Sequence, residues 1–153
     1  LTVMITNFKE YYKLAEYFSN YTQEKIVLTM GVNNLIEIFN EKYYNHLSGG
    51  ILEAFGKLFY KNLRIFLYPM KNDKSGEIIN SNNLHVEPRM KNLYKFFKFN
   101  NKVIDIFGFD KTLLDIYSVK VLEMIKNKEE GWEEMLPDKV TSLIKEKKLF
   151  GFN

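Results

Sequence analysis

Apolar positions along this chain fall into two alternating rhythms. Short apolar runs at residues 3–6, 25–30 and 63–68 have the length and β-branched or aromatic content of strands. Between them the apolar residues recur at i, i+3, i+4. Phe8, Tyr11, Tyr12, Ala15 and Phe18 form one stripe, and Leu35, Ile36, Phe39 and Tyr43 a second. Ile51, Leu52, Phe55, Leu58 and Phe59 form a third. Each stripe predicts an amphipathic helix. Gly31 ends the second run, Asn33 or Asn34 suits the cap of the helix after it, and Pro69 closes the third run.

A β-α-β-α-β series with short connections favours parallel strands joined by right-handed crossovers. Strands apolar on both sides suit a sheet covered by helices on both faces. The pattern therefore predicts an α/β fold: a three-layer, Rossmann-like parallel sheet with a helical C-terminal extension. One domain over 1–153 is expected, with a βαβαβ core at 1–70 and a mainly helical part at 87–153. At least three parallel strands are expected, containing residues 3–5, 26–29 and 63–67.

The polar stretch at 71–86, KNDKSGEIINSNNLHV, reads as a mobile loop or a short hairpin about Ser75-Gly76. Pro88 suits the first turn of a helix carrying Met90, Leu93, Tyr94 and Phe97. Residues 103–106 add a short strand. Asp110 or Thr112 opens a helix bearing Leu113, Leu114, Tyr117, Val121, Met124 and Ile125, and Asp138 caps a last one through Val140, Leu143 and Ile144.

Composition narrows the picture. With 46% apolar and 16% aromatic residues among 153, the chain can bury a real core and is no disordered tail. No apolar run approaches the roughly 20 residues of a membrane span, and no basic-then-apolar leader is present. The absence of cysteine excludes disulfides and thiolate metal sites and fits a reducing cytoplasm, the location expected here. A chain whose first residue is Leu1, already within a strand-like run, reads as the C-terminal fragment of a longer protein. The net charge of +3 comes from lysines interspersed with acids. That scatter speaks against a nucleic-acid partner, which would need a basic stripe. A nucleotide ligand or a protein partner fits better.

Candidate chemistry is sparse. Ser48-Gly49-Gly50 precedes a helix, but it follows a helix as well, lacks both glycine-rich phosphate motifs, and has Glu53 in the next turn to repel an anion. It reads as a corner between helices. Gly31, Asn33 and Asn34 lie between a strand end and a helix start, where ligands of open parallel sheets bind. Arg64 and Arg89 are the only arginines, and His85, Glu87 and Arg89 fall within five residues. Arginine suits bidentate phosphate binding. Gly31, Asn33, Asn34, Arg64, Arg89 and His85 are therefore the candidate ligand-binding residues. His46 and His85 have no zinc spacing, so no metal is expected, and no G-x-S-x-G marks a hydrolytic serine. Trp132 reads as a packing anchor. A basic cleft joining Gly31, Asn33, Arg64 and Arg89 would favour a nucleotide. An exposed patch from Phe96, Phe97 and Phe99 would favour an interaction or regulatory module.

The segments EYYKLAEYF, GVNNLIEIFNEKYYNHLSGGILEAFGKLF, LRIFLYPM, MKNLYKFF and GWEEMLPDKV together resemble the C-terminal part of a family of longer bacterial and algal proteins. Those are described as nicotinate- or nicotinamide-nucleotide adenylyltransferase-like. The resemblance spans nearly the whole chain, and it implies a nucleotide-related domain of pyridine-nucleotide metabolism. Adenylyltransferases of that class grip phosphate with an H-x-G-H-type turn. Neither His46 nor His85 sits in one, so no catalytic residue is carried over.

Overall fold

The computed structural model describes residues 4–152. The chain forms two compact units, Leu1–Phe107 and Gly108–Asn153.

In the first unit, helix α1 (Tyr11–Ser19) leads to strand β1 (Val27–Gly31), which runs straight into α2 (Val32–Ile38). A 3-10 turn (Glu41–Tyr44) and the glycine corner precede α3 (Gly50–Leu58), which returns the chain to β2 (Arg64–Tyr68). The hairpin β3 (Met70–Lys71) and β4 (Ile78–Ile79) follows, then a 3-10 turn at Pro88–Met90, α4 (Lys91–Phe99) and β5 (Val103–Asp105). The sheet has three parallel strands in the order β1-β2-β5. Val27 faces Arg64, Gly31 faces Tyr68, and Ile65 faces Val103.

Register decides which side of the sheet is covered. Leu28, Met30, Ile65, Leu67 and Val103 turn to one face and join one core with Tyr12 and Ala15 of α1, Leu35 and Ile38 of α2, Phe55 and Leu58 of α3, and Tyr94 and Phe97 of α4. Val27, Phe66 and Ile104 turn to the other face and take no part in that core. Right-handed crossovers that step in one direction across a sheet leave their helices on one side, and the order β1-β2-β5 steps in one direction. Within Leu1–Phe107 the result is a mixed α/β unit with its core on a single face of a small parallel sheet.

Phe55 is the centre of this core. It is 1% exposed, and its ring meets Phe39 edge-on at 4.9 Å, Phe97 at 5.2 Å and Phe59 at 5.8 Å. Ile51, Leu58 and Phe59 are buried as their spacing predicts. Leu52, one position off the stripe, is 66% exposed and is not part of the buried face.

Several sequence readings change. Val3 lies outside the described residues, and residues 4–6 form no strand and are exposed. The third parallel strand is instead β5. Phe8 precedes α1 and is exposed. Neither Asn33 nor Asn34 caps α2, because β1 passes into the helix at Gly31 with no turn for a side chain to close. Asn40 caps instead, its Oδ1 accepting from the Lys42 N–H at the next 3-10 turn. The polar stretch is the hairpin: Asn72 Oδ1 accepts from the N–H groups of Lys74 and Ser75, and Gly76 takes the left-handed φ of +70° that the turn needs.

The glycine corner is structural. Gly50 has φ +56°, and a Cβ on Gly49 would lie 2.8 Å from Glu53 Cβ. The Glu53 carboxylate folds back to accept from the Gly49 N–H at 3.0 Å and pairs with Lys57 at 3.1 Å. Those two contacts, the backbone one foremost, hold its carboxyl below the usual range. The amide end of α3 thus already has its anion.

The second unit contains α5 (Ser118–Asn127) and α6 (Asp138–Lys147), with 3-10 turns at Lys111–Asp115, Trp132–Met135 and Leu149–Gly151. Val121, Met124, Ile125, Trp132 and Ile144 form its core, and the Trp132 ring meets Phe152 at 5.8 Å. Asp110 caps the 3-10 turn rather than the long helix, which opens at Ser118, and Leu113 is exposed. Asp138 is the first residue of α6, after Pro137, and makes no capping hydrogen bond; of its stripe only Ile144 is buried, Val140 and Leu143 being exposed.

Candidate functional site

The six sequence candidates do not converge. Gly31, Asn33 and Asn34 sit at the carboxyl end of β1, whereas Arg64 is the first residue of β2, opposite Val27. Four residues of extended chain separate the two ends, about 13 Å. Arg89 is paired with Glu41 at 3.0 Å and Glu87 at 3.1 Å. His85 lines a cleft that none of the other five candidates lines.

Two clefts distinguish themselves by charge. The first, about 420 Å³, lies beside Asn34 and is walled by Glu10, Glu37, Tyr43, Tyr44 and His46. The Lys13 ammonium, donating to Glu10, keeps that carboxyl below its usual range. Glu37 accepts from the Tyr43 hydroxyl at 2.5 Å. Tyr44, buried and donating to the Ile38 carbonyl, is pushed up to about 12, chiefly by desolvation. Two carboxylates against Lys9 make this wall a poor one for phosphate.

The second cleft, about 400 Å³, lies between residues 81–88 and α4. Lys91, Lys95 and Lys98 come from successive turns of one flank of α4, and His85 faces them from the loop. Leu84, Val86 and Pro88 supply apolar wall, Asn82 and Asn83 supply amides, and no carboxylate lines it. The ammonium groups of Lys91 and Lys95 make no hydrogen bond or ion pair with another described residue.

A buried polar network fixes the cleft floor. Ser81, 4% exposed, donates its N–H to Asp105 Oδ1 at 2.8 Å and its hydroxyl to Oδ2 at 2.7 Å. Its carbonyl accepts from the Tyr94 hydroxyl at 2.7 Å and the Lys98 ammonium at 3.0 Å. Burial first, and the nearby Asp105 charge second, raise the Tyr94 pKa well above the phenol value. Asp105 ends β5, so the loop and cleft are tied to the carboxyl end of the sheet, the end at which open α/β folds bind ligands.

Of the sequence candidates, only His85 lines this basic cleft. The lysines Lys91, Lys95 and Lys98 were readable as one helical flank at spacings of four and three, but solvated lysines share that pattern. Ser81 and Asp105 lie 24 residues apart and carry no local signal. Among the described residues no group of three His, Asp or Glu side chains is placed to hold a metal, and no helix is long and apolar enough to cross a membrane.

Leu1–Phe107 thus presents an α/β scaffold with a basic cleft whose lining residues include no carboxylate. Comparison of the chain with protein-family models, curated proteins and solved structures finds no match in any of the three.

Proposed function

We propose that Leu1–Phe107 is a nucleotide-related domain of the adenylyltransferase-like kind that the sequence resembles, and that a phosphate-bearing nucleotide occupies the cleft between 81–88 and α4. The observation that carries this is the lining itself: Lys91, Lys95, Lys98 and His85 without a carboxylate, beside the end of β5. The lysines attract the phosphate, and the Leu84, Val86 and Pro88 wall accommodates a base or a pyridine ring. The charge balance agrees: Leu1–Phe107 holds fourteen basic against ten acidic side chains, Gly108–Asn153 eight against nine. The same reading extends the fold to a three-layer, Rossmann-like one, in which a second helical layer covers the Val27, Phe66 and Ile104 face.

Thermal-shift titration with nicotinamide mononucleotide and with ATP tests the site, since a ligand bound only to the folded state raises stability by RT ln(1 + [L]/Kd). A shift abolished in Lys91→Glu/Lys95→Glu supports the reading, and no shift with either ligand overturns it.

The exposure of Phe96 (60%) and Phe99 (87%) supports a second reading, an interaction or regulatory module without catalysis.

A further inference from the structure

The three connections that run from a helix into a strand all lie at the end of the sheet opposite the basic cleft. They carry a repeated pair of residue types. Tyr21 and Lys25 lie between α1 and β1, Tyr60 and Lys61 between α3 and β2, and at the third Phe99 is the last residue of α4 and Lys102 precedes β5. The three rings are 74%, 59% and 87% exposed. Arg64 adds a cation at the first position of β2. Glu24 is the single carboxylate among these connections.

The backbone sets three of the cations in a row. The Arg64 N–H donates to the Ile26 carbonyl at 2.9 Å, and the Ile65 N–H donates to the Lys102 carbonyl at 2.8 Å. Lys25, Arg64 and Lys102 therefore flank neighbouring strand starts, stepped by about 4.8 Å per strand. Two of the lysines also have a structural task. Lys61 donates to the Ser19 carbonyl at 3.1 Å, and Lys102 donates to the carbonyls of Lys61 at 3.2 Å and Phe59 at 3.4 Å, closing helix ends. An ammonium has three donors, so each keeps at least one. The side chains of Lys25 and Arg64 make no hydrogen bond or ion pair with another described residue. Closing helix ends explains the lysines in part, but it requires none of the three exposed rings.

We propose that this end of the sheet binds single-stranded nucleic acid, with bases stacked on Tyr21, Tyr60 and Phe99 and backbone phosphates on Lys25, Arg64 and Lys102. Alternating rings and cations is the chemistry that single strands require, because every base has a face to stack and every step a charge to neutralise. Lysines scattered along the sequence gave no sign of a stripe; the parallel sheet gathers them, since each crossover returns to the same end.

Fluorescence anisotropy of the whole chain with a labelled oligothymidylate of about twelve nucleotides, and with a duplex of equal length, tests this. The single strand is expected to bind more tightly than the duplex, with affinity falling as salt rises by about 0.7 log units per neutralised phosphate per log unit of salt. Tyr60→Ala and Phe99→Ala should each weaken binding at least about fivefold. Arg64→Ala should weaken it and flatten the salt slope by about 0.7. Lys95→Glu, in the cleft at the other end, should retain the Arg64 dependence. Circular dichroism melts check that each variant is folded. No saturable signal at low salt overturns the proposal, as do ring variants without effect or binding lost in Lys95→Glu but not in Arg64→Ala. Binding of phosphatidylserine vesicles without binding of the oligonucleotide assigns the surface to lipid and overturns it equally.

Discussion

Asp105 accepts both hydrogen bonds that Ser81 has to give, one from its main chain and one from its hydroxyl. This couples a loop with little regular structure to the last residue of a strand, and through Tyr94 and Lys98 to α4. Asp105→Ala leaves two Ser81 donors without an acceptor, in a residue almost wholly buried. A loss of about 2–3 kcal/mol in urea unfolding is expected, against a smaller one for Asp105→Asn, which keeps one acceptor oxygen. A loss below about 0.5 kcal/mol for Asp105→Ala would show that water replaces the carboxylate.

The aromatic core gives a second expectation. Phe55→Ala removes a ring with four aromatic neighbours and should cost about 3–5 kcal/mol. Leu52→Ala, three positions away on the exposed side, should change stability by less than about 0.5 kcal/mol. Equal losses in denaturant titrations would contradict the assigned face.

At the glycine corner two mechanisms separate. Gly49→Ala forces a contact with Glu53 Cβ, and Gly50→Ala must hold a left-handed backbone; each should destabilise by about 1 kcal/mol or more. Glu53→Gln tests the charge. A carboxyl held below its usual range stabilises the fold above its unfolded pKa, about 4.3, and that contribution is lost as pH falls through the folded value. The stability gap between wild type and Glu53→Gln should therefore be full at neutral pH and close below about pH 4. A pH-independent gap would assign the effect to packing.

Burial should make two tyrosines, Tyr44 and Tyr94, titrate late. Burial raises both Tyr44 and Tyr94, Tyr44 to about 12. Their neutral forms support the fold fully below the unfolded pKa of about 10, and that support is lost as pH rises through the folded values. Absorbance at alkaline pH should show late-ionising phenols, of which Tyr44→Phe and Tyr94→Phe each remove one. Asp105→Asn should bring Tyr94 down while leaving Tyr44 unmoved. No late step in the folded protein would refute the burial of Tyr44 and Tyr94.

Gly31 separates the two possible ligand positions. A Cβ there meets open space and φ is −80°, so Gly31→Ala should be neutral in stability to within about 0.5 kcal/mol. With the nucleotide in the α4 cleft, its thermal shift should survive in Gly31→Ala. Loss of the shift in this variant alone would return the site to the β1 turn.

Periodicity made β1, β2, β5 and the buried stripe of α3 legible, because their apolar spacing is local and bounded by glycine or proline. The run at 3–6 resembles them in composition, but the pairing that makes a strand is not a property of the run itself. Which ends of the strands carry Arg64 and Gly31 follows from parallel pairing, and once pairing is known the two cannot meet. His85 was legible as a candidate. Its companions on α4 were hidden by resembling any solvated lysine face, and the Ser81–Asp105 link by its long separation.

Each strand of the parallel sheet pairs with the one made just before it, so no strand is inserted between two already joined. On a ribosome this permits assembly in the order of synthesis: α1 through β2 can close before Asp105 has been added. The sheet then grows at a single edge, and β2 alone is paired along both sides. The first βαβ turn is a template for the second, and truncation after Tyr68 removes an edge of the sheet rather than its middle.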